Sequence, residues 1–380
     1  MKPFIRFAAT GAFAVALVAA FAVPAVAAPT SGVRSFGANR VVFVQTDDPA
    51  GNQVVAYHRT ADGTLTLAGT YDTGGKGGIL DGSVVDHLAS QGSLTYDAEH
   101  GLLFAVNAGS NTLSVFSVRG DRLARRQVLG SNGPFPVSVD VHDDLVYVLN
   151  AERGGSVQGY RIFHDRLSPI SRSRRKLGLD PTATPQFTNT PGQVAFSPDG
   201  SQLIVTTKAN GSDVDVFGVG LSGRLSAHPV VNSEPGVVPF AVTFDTARNL
   251  VVSEAGTNAL ATFKLHRNGT ITQLDAVGTG QSATCWIAAV NGQFYASNAG
   301  SANVSRFEEG KHGALTLVDA TGTDGGTVDA AASVDGHSLY VQTGAGGIVD
   351  EFHVNADGSL TPIGSVTVAN AVGGEGIVAI

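Results

Sequence analysis

The sequence predicts an all-β protein, a seven-bladed β-propeller with four antiparallel strands in each blade. Three observations lead there. A short apolar β run recurs seven times, as Val42-Phe43-Val44, Leu103-Phe104-Ala105, Val146-Tyr147-Val148, Leu203-Ile204-Val205, Leu250-Val251-Val252, Phe294-Tyr295-Ala296 and Leu339-Tyr340-Val341, with middle residues 61, 43, 57, 47, 44 and 45 positions apart. An aromatic (Tyr57, Phe116, Tyr160, Phe217, Phe263, Phe307 or Phe352) follows each run after 14, 12, 13, 13, 12, 12 and 12 residues. Glycine is in surplus, 48 of 380 residues, and Asp62-Gly63, Asn268-Gly269 and Asp357-Gly358 supply the positive φ angles that tight hairpins demand. Such a period of short strands is the signature of propeller blades.

The elements follow in chain order. Residues 1–27 have the layout of a secretory signal peptide: Lys2 and Arg6, an uncharged run from Phe7 to Val23, then Ala25-Val26-Ala27 as a small-residue cleavage site. Residues 28–40 form a flexible lead-in, and 41–380 form the propeller. Within each blade the apolar run is strand b, preceded by an alternating strand a; strand c carries the aromatic and strand d follows the turn. The first copy lacks a strand a, whereas Glu375-Gly376-Ile377-Val378-Ala379-Ile380 is a strand to spare. Pairing the two ends would close the ring and hide two sheet edges. Two insertions lengthen the crossings between blades: Gly74 to Gln91, with Asp81, Asp86 and His87, and Ser171 to Pro191, with Arg172, Arg174, Arg175 and Lys176. Long loops at one mouth are where a propeller builds ligand sites.

Composition narrows the function. Lys+Arg minus Asp+Glu is 24 − 32 = −8, or −10 once Lys2 and Arg6 are removed, which speaks against a nucleic-acid partner. The single cysteine rules out a disulfide framework, and the scattered histidines show no metal-ligand spacing. No nucleophile elbow or phosphate loop occurs, so neither a metal nor a cofactor is expected. The mature protein is expected outside the cytoplasm, periplasmic or secreted, without a membrane span and as a monomer.

Antiparallel a and b strands bring every a start and every b end to one mouth of the channel. This places Asn107, Asn150, Thr207, Glu254 and Asn298 there with Gln193, Trp286 and Asp329, and adds Lys208 as a cation beside Thr207. Amides, carboxylates and an indole suit a small polar, carbohydrate-like ligand, with Trp286 stacking on an apolar sugar face. Asn107 and Asn298 also precede Ala-Gly-Ser and could cap the b–c turns instead. Cys285 reads as an inert thiol.

The motifs Pro191-Gly192-Gln193-Val194-Ala195-Phe196-Ser197-Pro198-Asp199-Gly200, Asn107-Ala108-Gly109-Ser110-Asn111-Thr112-Leu113-Ser114-Val115-Phe116 and Val251-Val252-Ser253-Glu254-Ala255-Gly256 resemble the lactonase-type seven-bladed propeller family. That family includes a bacterial 6-phosphogluconolactonase and carboxymuconate-lactonising enzymes. The resemblance implies a His where this chain has Gly192, an Arg where it has Phe240, and a Glu where it has Glu254. Two readings follow. In one, the propeller binds a small polar ligand or partner at the mouth without ring-opening chemistry. In the other, Glu254 serves as acid or base on a lactone.

Overall fold

The computed structural model describes residues 40–380; the signal-peptide reading and most of the lead-in lie outside the described residues. Seven antiparallel sheets follow one another around a ring, each ordered a-b-c-d from the channel outwards. Blade 1 takes Val41–Gln45, Gln53–Arg59 and Leu65–Asp72 as b, c and d, with Ile377–Ala379 as its strand a. Blade 2 comprises Leu94–Asp97, Leu102–Asn107, Thr112–Arg119 and Arg122–Gly130. Blade 3 comprises Pro136–His142, Leu145–Asn150, Ser156–Phe163 and Arg166–Pro169, with Arg175–Lys176 continuing the outer edge. Blade 4 is Val194–Phe196, Gln202–Thr206, Asp213–Gly218 and Val230–Ser233, and blade 5 is Pro239–Phe244, Leu250–Glu254, Ala259–Leu265 and Ile271–Gly278. Blade 6 is Thr284–Val290, Gln293–Asn298, Asn303–Glu309 and Leu315–Gly322, and blade 7 is Thr327–Ala332, Ser338–Thr343, Ile348–Val354 and Leu360–Thr367. Among the described residues helix is confined to single turns such as Gln186–Asn189.

Closure is made by the chain ends. Val42 pairs with Ala379, Phe43 with Val378 and Val44 with Ile377, so the C-terminal strand becomes the innermost strand of blade 1. The b strands are buried along their length, apart from the first residue in blades 3 and 6, because each is covered on both faces by neighbouring blades, which explains their apolar runs. The d strands alternate with solvent and read polar.

The seven c-strand aromatics are all buried between sheets. In blades 1, 2, 5, 6 and 7 the c–d register shifts by one residue at the aromatic, as between Thr262 and Phe263. A bulge there adds local twist, which lets a flat hairpin follow the curve of the ring. The b-strand tyrosines tie blade to blade. Tyr147, Tyr295 and Tyr340 each donate from their hydroxyl to a carbonyl in the next blade's c–d turn, at Gly223, Gly358 and Gly63, over 2.7, 2.6 and 2.6 Å. Gly63 and Gly358 hold φ of +95° and +80°, so the Asp-Gly turns seen in the sequence also present the acceptor.

Truncating one packed aromatic empties a space that no neighbour can refill. Phe217→Ala or Phe263→Ala is expected to cost about 3–5 kcal/mol, read from urea unfolding midpoints.

Candidate functional site

The a-strand starts and b-strand ends do meet at one mouth, and the first insertion lies across it. From blade 1, where the Gly77 amide donates to Asp48 O (2.9 Å), the segment reaches the far side of the ring. His87 N donates to Gly373 O (2.7 Å) beside the closing strand, and Trp286 Nε1 of blade 6 donates to Ser90 O (2.6 Å). The Gln91 amide clasps Ile287, donating to its carbonyl and accepting from its N–H, both at 2.9 Å. Ser90 Oγ donates to Val137 O of blade 3 (2.8 Å), and Gln91 N donates to Gly192 O ahead of blade 4 (3.2 Å). This strap's own Leu80, Leu88 and Ala89 are buried. The strap closes the mouth.

A buried ionic network holds the strap from below. Lys208 takes a left-handed φ of +54°, which turns its side chain inwards. Its ammonium donates to Ala89 O and Phe187 O (2.7 Å each) and to Thr190 Oγ1 (3.2 Å), and it sits 5.5 Å from the centre of the Phe240 ring. Burial pushes the Lys208 pKa down, while the charges of Asp86 and Glu375 push it back up. The Glu375 carboxylate accepts the Ser90 amide at 3.2 and 3.3 Å together with the Ser90 hydroxyl. Its own amide donates to Asp47 Oδ2 (2.9 Å). Asp86 is fully buried, and neither of its carboxylate oxygens has a hydrogen-bond partner of good geometry. Burial raises the pKa of Asp86 and of Glu375, and holds Asp47 and Asp329 at about 7. The charges of Asp47, Asp86 and Asp329 add to the rise at Glu375, so ionising one of these carboxyls disfavours ionising the next.

The residues singled out from the sequence divide into three groups. Lys208, Trp286 and Asp329 belong to this network or its wall, and Gln193 stands nearby with its Oε1 accepting Val242 N at 2.6 Å. Asn107 and Asn298 serve the b–c turns and their surroundings. The Asn107 amide donates to Thr112 and Ser114 hydroxyls (3.1 and 2.8 Å), and that of Asn298 to Asn303 Oδ1 and Ser305 Oγ (2.7 and 2.9 Å). Asn150 is buried against backbone carbonyls of Ser131 and Ser156. No hydrogen bond or salt bridge joins Glu254 to the Lys208 ammonium. Glu254 ends its b strand opposite Pro239 and accepts the Thr257 hydroxyl at 2.9 Å. Burial raises its pKa, the Thr257 bond opposes this, and the Glu234 charge adds to the rise.

The second insertion also differs from expectation. Its arginines do not reach the mouth: Arg175–Lys176 pair with Ser156–Val157 on the outer edge of blade 3, and only the later part, with Phe187 and Thr190, arrives beside Lys208. Burial drives the pKa of the free Cys285 thiol well up, which disfavours the thiolate. Sequence reasoning missed Asp47, Glu375 and Ser90 as site residues. Glu375 could have been found, because it occupies in blade 1 the place just before a strand a.

The two remaining family positions are explained by packing. A Cβ at Gly192 would lie 2.6 Å from the Phe240 carbonyl oxygen, so this backbone has no room for any side chain. Phe240 is buried edge-on against Trp286, ring centroids 4.9 Å apart at 63°, and fills the other position with an apolar wall.

The sequence model of the family described as "Lactonase, 7-bladed beta-propeller" matches residues 76–372. The chain belongs to this family. Among solved structures, the lactonase-type propeller is similar to the periplasmic gluconolactonase of Pseudomonas aeruginosa, at 18% identity and a TM-score of 0.69, over 89% of this chain and 98% of that one. A 6-phosphogluconolactonase candidate from Bacteroides fragilis gives 17% identity and 0.69 over 88% and 96%. The virginiamycin B lyase of Staphylococcus aureus is more distant, at 13% and 0.53 over 73% and 85%. Among curated proteins none matches the sequence. At these identities the structural likeness carries the fold alone. No described helix is long and apolar enough to cross a membrane.

Proposed function

We propose that this lactonase-type propeller works after export and binds a small hydroxyl-rich ligand of the sugar-lactone or sugar-acid class at the channel mouth without opening a lactone ring. The observation that carries the reading is Gly192, whose backbone excludes the side chain that family chemistry would use there. With Phe240 as an apolar wall, no lysine or arginine among the described residues pairs with Glu254 in place of the missing cation. One carboxylate cannot both activate water and steady a developing oxyanion. What remains is suited to recognition: Lys208, Asp329, Glu375 and the Trp286 indole under a strap that must lift for a ligand to enter. The names of the gluconolactonase neighbours support the ligand class.

Gluconolactone and gluconate test this by calorimetric titration alongside base uptake at constant pH. The expected result is saturable binding with base uptake at the spontaneous rate. A second reading is favoured by Glu254 itself, whose pKa burial raises, the direction a general acid needs. Catalysed base uptake that disappears in Glu254→Gln would establish it. No binding of either compound would remove the recognition reading.

A further inference from the structure

The strap is fastened differently along its length. Its start is locked to blades 1 and 2: Lys76 N donates to Ser110 Oγ (3.0 Å), Gly109 N donates to Lys76 O (3.1 Å), and a Cβ at Gly77 would lie 1.9 Å from Asp47 O. Gly82 and Gly92 then bracket the later part with φ of +83° and +84°, the left-handed backbone that glycine adopts without strain. Between them the strap is held at its underside by groups that titrate. The Glu375 carboxylate accepts the amide and hydroxyl of Ser90, and the Lys208 ammonium donates to Ala89 O. Asp86 goes down with the strap, fully buried and with neither oxygen paired.

Every side of this space brings a charge or a titratable group. Lys208 follows strand b of blade 4, Glu375 precedes the closing strand, Asp47 follows strand b of blade 1, and Cys285 lies in strand a of blade 6; each acts on Asp86 or feels its charge. Asp329, in strand a of blade 7, acts on Glu375 and feels the charge of Asp47. His87, beside Asp86 on the strap, faces the charge of Asp48 and lies 3.3 Å from Asp47 O through Nδ1. One ammonium thus meets four carboxyls under a closed strap.

We propose that the strap is a pH-controlled gate over the channel mouth, shut at mildly acidic pH and released as Asp86 and Glu375 ionise. The proposal rests on reading the mouth as the point of ligand entry. Lifting the strap carries Asp86 into water and takes Ser90 off Glu375, so both carboxyls recover their ordinary acidity and give up protons that burial had kept on them. A state that holds fewer protons gains as the pH rises. His87 and Lys208 work the other way. Burial lowers both of their pKa values, so on exposure His87 takes up a proton below its ordinary 6.5 and Lys208 takes one up above about 8. From pH 5 to 8 the two carboxyls outweigh them, and each net proton released on opening raises the open fraction about tenfold per pH unit.

Hydrogen exchange reads this opening directly, because the amides of His87, Ser90 and Gln91 donate to Gly373 O, Glu375 and Gly192 O only while the strap is down. The full-length mature protein is measured without ligand, and protection factors, corrected for the intrinsic rate, are compared for residues 83–91 and for the b strand 203–205. Protection of the strap is expected to fall at least about tenfold more than that of the b strand between pH 5 and 8. Asp86→Asn should remove most of that difference, whereas Asp81→Asn, an exposed acid of the same strap, should keep it; circular dichroism checks folding, and Glu375→Gln takes the place of an Asp86→Asn chain that does not fold. The gate is overturned if strap and b strand change in parallel, if strap protection rises with pH, if the neutral variant at Asp86 or Glu375 keeps the parent's dependence, or if Asp81→Asn loses it too. Calorimetry separates this from the reading it rests on: gluconate binding to a strap indifferent to pH removes the gate alone, and a responsive strap that admits neither compound removes the recognition alone.

Discussion

Removing residues 376–380 is expected to destroy the native ring. The deletion strips Ile377 and Ala379 from the interior and bares Val42, Phe43 and Val44, three residues that are fully buried in the closed form. At roughly 1.5–3 kcal/mol per large apolar side chain, the loss is on the order of 5 kcal/mol, comparable with the whole stability of many domains. It also leaves an unpaired edge of blade 1 facing the channel, a template for pairing with another chain. Urea unfolding with size-exclusion chromatography reads both effects. A truncated chain that stays monomeric with an unchanged midpoint would contradict the closure.

The second large effect is at Lys208. Lys208→Met keeps the stem but removes the ammonium whose charge acts on Asp86 and Glu375, and it leaves the buried acceptors Ala89 O, Phe187 O and Thr190 Oγ1 without their donor, at about 1–3 kcal/mol for each one left unsatisfied. The pH profile identifies the cause. Asp47 and Asp329 titrate near 7 in the folded chain, against an ordinary 3.8, so the folded state holds protons that the unfolded state has released. Their contribution therefore favours folding below about pH 4 and is progressively lost as the pH rises towards 7. The parent should be more stable at pH 5 than at pH 8 on their account. In Lys208→Met, Asp86 and Glu375 lose the opposing charge and are held still more firmly protonated, so the decline should steepen and extend to higher pH. A variant whose stability runs parallel to the parent across this range would show that Lys208 does not face the carboxylates.

How much of this could be read in advance depends on whether a residue repeats. The seven aromatics, the b-strand runs and the spare strand at Ile377 obey a period, and a period reports the architecture because each blade must solve one packing problem. The strap obeys none. Nothing in Gly74 to Gln91 says that Ser90 meets Trp286, nearly two hundred positions away, since that contact exists only once the ring brings blades 2 and 6 face to face. Lys208 was legible as a cation at the mouth, but not as one turned inwards, because its direction follows from a left-handed backbone and from carbonyls of both insertions. The arginines of 172–176 sit in an insertion that the sequence places between blades 3 and 4, yet a two-residue pairing with Ser156–Val157 keeps them on the outer edge. Gly192 was legible as a missing side chain, while the reason it must be missing needed the Phe240 carbonyl.

The pairing of Val42–Val44 with Ile377–Ala379 has a consequence for the order of folding. Blades 2 to 7 are each built from neighbouring stretches of chain and can form their hairpins as soon as those stretches exist. Blade 1 cannot be completed until a strand more than three hundred residues downstream has been made, and contacts of such sequence separation are slow to form because the intervening loop must first be closed. Folding therefore passes through an open arc with the inner edge of blade 1 uncovered, and the arc becomes a ring only when Ile377–Ala379 docks.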